Sequence, residues 1–150
     1  MLIENPLNES ALSFPILECI HIVSFAFSVG TIALIDFRLL GFGMRRELPS
    51  QLLKDTFYWT LGGLISMVFS GLLLFSSDPD MYYMNWAFDL KMVFLLLAVL
   101  FNYTIHRKTA MSDPPGAKVV ACVSLGLWTC VLFGGIFIGF LNSTLDFGQI

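Results

Sequence analysis

Glu18, His21 and Asp36 stand inside the first membrane-length apolar stretch of the chain, Ser13 to Gly43, and Arg38 follows near its end. Two carboxylates and an imidazole at hydrocarbon depth are groups that hold protons, metal ions or one another. Each ionisable side chain costs roughly 2.5–3.5 kcal/mol to insert on translocon scales, so a chain that keeps them gives them partners inside a bundle. Their spacing puts them on one face. Glu18 to Asp36 is eighteen positions, about five turns of helix, and His21 lies about 60° off the same line.

A later apolar stretch carries its own polar stripe. Lys91 to Asn102 is eleven positions, with His106 four further on, so all three fall near one face. Both stretches run in the same direction through the membrane, and heights compare at about 1.5 Å per residue. Glu18, His21 and Lys91 then form an outer cluster, with Glu18–Lys91 as its ion pair. Asp36, Arg38, Asn102 and His106 form an inner one. The plain reading of both is structural, since interhelical polar pairs hold a small bundle together at roughly 0.6–2 kcal/mol each. Arg38 and His106 lie close enough to the interface to snorkel. The functional reading of the outer cluster is a proton-active or ligand site.

Two histidines on four helices raise the question of haem b. His21 and His106 differ in height by roughly 19 Å, which argues against one haem held by both. A haem on His21 with Met92 or Met67 keeps its ligands at one depth. Copper is the parallel candidate, because His21, Met92, Met67 and Cys130 are ligands that suit Cu(I). Against both stands the ordinary use of Met and Cys as core filler, and the chain has no H-x-x-H or C-x-x-C.

The elements that must position these groups are four spans. The chain has 150 residues, 57% hydrophobic and 13% charged, with a mean hydropathy of +0.80. Soluble domains carry about 25% charged residues. This composition therefore predicts one all-α domain, an integral membrane four-helix bundle. The spans are 13–43, 56–76, 86–106 and 117–141, separated by Pro49-Ser50, by Ser76-Ser77-Asp78-Pro79-Asp80 and by Ser112-Asp113-Pro114-Pro115-Gly116. Residues 1–12 are expected to form a short outer segment and 142–150 an outer tail.

Charge sets the orientation. Of eight Lys and Arg residues, Arg38, Arg45, Arg46, Lys54, Arg107, Lys108 and Lys118 lie in or beside loops 1–2 and 3–4, and Lys91 is the exception. The positive-inside rule then predicts both termini on the non-cytoplasmic side. The first ten residues lack Lys and Arg, so no basic-headed secretory signal is expected and the first span is retained. Three cysteines, all in apolar stretches, argue against a disulfide framework. A net charge of −3, small and dispersed, excludes nucleic acid as a partner. Gly62-Gly63, Gly71, Gly126, Gly134-Gly135 and Gly139 provide small faces for close helix approach, either inside the bundle or between copies.

Several of these residues together resemble a large bacterial family of small four-helix membrane proteins of unknown function. Pro15-Ile16-Leu17-Glu18-Cys19-Ile20-His21 is similar to the family's opening of the first helix, and Asp36-Phe37-Arg38-Leu39-Leu40-Gly41 to its close. Ser70-Gly71-Leu72-Leu73-Leu74-Phe75 resembles the end of the second helix, and Asn85-Trp86-Ala87-Phe88-Asp89-Leu90-Lys91, with Asn102 and His106, the third. The fourth departs: Gly134-Gly135-Ile136-Phe137 stands where many members have Gly-Arg-aromatic, with Trp128 retained upstream. The resemblance implies the fold and a bacterial inner-membrane location, and it carries no activity. A more distant likeness to copper-resistance D type membrane proteins rests on the first-helix histidine alone.

The expected function is a non-enzymatic accessory or self-assembling membrane subunit. Its partners are the lipid bilayer and either further copies or a larger membrane complex. The alternatives are a redox or metal-handling protein with haem b or copper near His21, and a small proton-coupled carrier using Glu18, His21 and Lys91.

Overall fold

The computed structural model describes residues 12–43, 46–77, 79–83 and 85–147, with side chains described for all of these except 81 and 142–147. The expected N-terminal outer segment thus falls, but for Leu12, outside the described residues. Among the described residues there is no strand. Four helices are long and apolar enough to cross a membrane: Ser13–Leu40, Pro49–Ser77, Trp86–Ser112 and Ala117–Leu141. The last continues as helix to Phe147, into the stretch expected to be a tail. The chain is the all-helical four-span bundle that its apolar runs imply.

Local chemistry sets the helix ends. Gly41 closes the first helix in the left-handed conformation, φ 89°, with its N–H donating to the Arg38 carbonyl. Phe42 N–H reaches back to the Phe37 carbonyl at 2.8 Å, completing a Schellman-type stop. Pro49 does not break the chain as the sequence suggests; it starts the second helix ahead of Thr56. Proline fits the first helical position because the N–H it lacks would have had no partner there. At the third helix, the Asn85 side chain accepts from Ala87 N–H at 3.0 Å and donates to the Ile138 carbonyl at 3.2 Å. One amide therefore caps the third helix and ties it to the fourth.

The third helix passes through a π turn over Asn102–His106, where Arg107 N–H donates to the Asn102 carbonyl five residues back. An extra residue in one turn rotates the remainder of the helix by roughly 100° relative to an uninterrupted α-helix. Asn102 and His106 are both buried in this turn. Such turns recur at functional sites.

The first helix packs most closely on the second, the third on the fourth, and the first again on the fourth. Glycine allows two of these approaches. A Cβ on Gly63 would lie 2.9 Å from Ser28 N, and one on Gly134 would lie 2.9 Å from Lys91 Cβ. Gly62, Gly126 and Gly139 face open space, so the glycine faces divide between internal packing and the outer surface. Ile32, Ala98, Trp128 and Val131 form the mid-bundle core. Ile35, Leu39, Ala110, Ala117 and Ala121 form a second layer, towards the end that bears the basic loops.

Candidate functional site

Asp36 is the centre of the interior. Its carboxylate is fully buried, with Oδ1 2.7 Å from His106 Nε2 and Oδ2 accepting from Ser124 Oγ at 2.7 Å. The first helix brings the acid, the π turn of the third brings the imidazole, and the fourth brings the hydroxyl. One proton lies between Nε2 and Oδ1, and both carboxylate oxygens are satisfied. Buried charge is tolerated only under such pairing. The far ring nitrogen, His106 Nδ1, is buried with no hydrogen-bond partner among the described residues.

This is not a nucleophile arrangement. Ser124 donates to the acid, not to the imidazole, so the serine–imidazole contact of a nucleophile triad is not formed. The three side chains clasp three helices, and they form a place where a proton is held out of water.

The other members of the expected inner cluster stand apart. Arg38 is two residues past Asp36, about 200° round the helix, and its Nε donates to the Glu47 carbonyl at 2.6 Å. Asn102 lines a cleft with Thr60, Tyr103 and Arg107. The cluster of four resolves into a pair, a loop anchor and a cleft residue.

Nor does the outer cluster assemble as expected. Glu18 is exposed and, among the described residues, only Asp36 and His106 form an ion pair. The expected Glu18–Lys91 bridge is absent: at this level the third helix lies against the fourth. Lys91 lies along that contact, its Cβ against Gly134 and its Nζ beside Gly135. His21 turns to the second helix, where Nδ1 sits 3.1 Å from Ser70 Oγ and its ring fills the space above Gly71. Lys91 remains within electrostatic range of His21.

Of the candidate metal ligands, Met67 is 3% exposed and Met92 46%, and Cys130 is exposed. His21 and His106 are held at the levels of Ser70 and Asp36, about 22 Å apart along the first helix.

A seam of hydroxyls joins the first two helices, and no sequence motif singles it out. Ser24 Oγ meets Ser66 Oγ at 2.8 Å, Ser28 Oγ donates to the Thr60 carbonyl at 3.1 Å, and Thr31 Oγ1 meets Thr60 Oγ1 at 2.7 Å. With His21–Ser70 this makes four cross-links in a row. The signal is present only as the spacing of His21, Ser24, Ser28 and Thr31, polar side chains three and four positions apart on one helix face. Ser124 offers no such signal, since a lone serine in an apolar helix is unremarkable until its neighbour is known.

The model of a family of unknown function, DUF6644, matches residues 13–141. No curated protein matches the chain, and no solved structure does.

Proposed function

This chain belongs to DUF6644, whose function is unknown, and because that membership brings no activity with it, we propose from the geometry that the protein is a non-enzymatic accessory or self-assembling subunit of a bacterial inner membrane. The observation that carries this reading is the third helix. Within one copy, 11% of its apolar window is buried, against 22–28% for the other three. It presents Val93, Leu96, Leu97 and Leu100 outward, each about half exposed. A second copy or a partner helix laid on this face would give it the coverage its neighbours already have.

The interior supports the same reading. Asp36, His106 and Ser124 hydrogen-bond across three helices, as do the hydroxyls of the first two. Polar pairing of this kind sets register and partner order in a bundle. The basic loops 1–2 and 3–4 support a cytoplasmic side for that end and an outer side for both termini.

Haem b or copper at His21 draws less support, because Met92 and Cys130 face outward. The proton-coupled carrier draws less as well, because Glu18 stands apart from Lys91. The test is purification of the full chain in a mild neutral detergent, followed by native mass spectrometry. A fixed oligomer or a constant partner is expected, and a lone monomer overturns the reading. An absorption spectrum of the same sample reports on haem through its Soret band.

A further inference from the structure

Two interior side chains near the outer end of the bundle each keep an unused nitrogen. Lys91 stands on the inward face of the third helix, in line with Ala87 and Ala98, each 1% exposed. His21 stands on the inward face of the first, in line with the buried Ser24 and Ser28. Both are nevertheless only half-buried, so the interior opens at this level. Lys91 lays its stem on Gly134 and brings Nζ beside Gly135, within electrostatic range of His21. Among the described residues its ammonium has neither ion pair nor hydrogen bond. The acids nearest in sequence, Glu18 beside His21 and Asp89 beside Lys91, are exposed and form no ion pair.

The hydrogen bonds of Ser70 fix the proton on His21. Ser70 Oγ donates back along its own helix, to the Ser66 carbonyl at 2.8 Å and the Met67 carbonyl at 3.1 Å. A hydroxyl has one proton to give, so its oxygen accepts from His21 Nδ1 at 3.1 Å. The Met67 carbonyl, a second acceptor, also acts on this ring. The proton therefore sits on Nδ1, and Nε2 is a bare lone pair. Neither Nε2 nor Lys91 Nζ is sealed inside the protein as His106 Nδ1 is. One nitrogen donates and the other accepts. A carboxylic acid offers both complements in one group, a carbonyl oxygen for the ammonium and an O–H for the lone pair. A metal ion suits the pair poorly, because the ammonium repels it. An ammonium without oxygen partners in a membrane span is costly, and a bound carboxyl group offsets that cost.

We propose that His21 and Lys91 bind the carboxyl group of a monocarboxylic acid, Lys91 Nζ donating to one oxygen and one proton held between His21 Nε2 and the other. A short free acid and a fatty acid of the bilayer share this chemistry. The site makes no use of Glu18, and the inference does not depend on whether the protein self-assembles.

The chain has two histidines, so nitrogen-15 histidine NMR of the full chain in a neutral maltoside detergent reads each ring separately. Before any addition, His21 is expected as the Nδ1–H tautomer. The sample is then titrated separately with hexanoate, dodecanoate and dodecanol. A saturable shift of His21 Nε2 is expected with an acid and not with the alcohol, while the His106 signals hold. Saturation by hexanoate identifies the carboxyl group as sufficient, and saturation by dodecanoate alone identifies the fatty acid. Lys91→Met keeps the stem over Gly134 and is expected to weaken binding roughly ten-fold or more. Lys118→Met, the same charge change outside the site, leaves it nearly unchanged. His21→Phe keeps a ring over Gly71 and is expected to weaken the acid adduct, followed by native mass spectrometry, about three- to ten-fold. That variant keeps the readout valid if Lys91→Met proves unstable. The proposal is overturned by an Nε2–H tautomer, by no saturable shift with either acid, by an equal shift with dodecanol, or by an affinity that Lys91→Met leaves unchanged.

Discussion

His106 Nε2 lies 2.7 Å from Asp36 Oδ1, seventy positions away in the chain, and both side chains have zero exposure. An acid and an imidazole so enclosed are worth little as an isolated attraction, because each has lost its water. Removing one of them is another matter, since it strands the other.

Asp36→Ala is therefore expected to destabilise the bundle by about 3–5 kcal/mol, and His106→Ala by a similar amount. Ser124→Ala is expected to cost about 1–3 kcal/mol, the loss of one hydrogen bond to a buried charge. The double variant Asp36→Leu/His106→Leu recovers much of the loss. Reversible unfolding in mixed micelles measures all four, and strictly additive losses would show that the pair does not act as a unit.

Gly62 and Gly63 are neighbours with opposite surroundings. A Cβ on Gly63 meets the backbone of Ser24 and Ser28 at 2.9–3.0 Å, whereas one on Gly62 meets nothing within 4 Å. Gly63→Ala is expected to cost about 1–3 kcal/mol through overpacking. Gly62→Ala is expected to be neutral or stabilising by up to about 1 kcal/mol, the helix-propensity gain. Melting curves of the two variants side by side check this, and equal effects would count against the close first–second helix contact.

Glu18→Gln is expected to leave the melting temperature unchanged, because the carboxylate is exposed and forms no ion pair among the described residues. Combining it with Lys91→Met should add no recovery beyond the single effects. A clear coupling energy in that double-mutant cycle would restore the ion pair suggested by helix heights.

Crosslinking addresses the third helix directly. With the exposed Cys19, Cys122 and Cys130 changed to Ser, Leu97→Cys is expected to form dimers in oxidised membranes. Leu72→Cys, on the outward face of the second helix, 63% exposed, is expected to form few. Similar yields at both sites would indicate random collision and not a defined face.

Much of this protein is legible as one-dimensional pattern. Apolar runs about 20 residues long, bounded by Pro, Gly and Ser, report helices and their number directly, because a bilayer fixes span length. Asp36 and His106 are also recoverable as interior groups near one height, since helical rise is a constant. Height along an axis is only one coordinate. Whether Glu18 reaches Lys91 depends on which helix lies beside which, and that order is set by contacts such as Gly63 on Ser28 and Gly134 on Lys91. Rotation is the other missing coordinate. The π turn at Asn102–His106 changes it without any proline or glycine to mark the place. The sequence by itself determined four spans and a set of costly polar groups to be accommodated. The tertiary structure decided their partners: Ser124 for Asp36 and Ser70 for His21. Pairing is a property of neighbours in space, and only packing of the helices makes those neighbours.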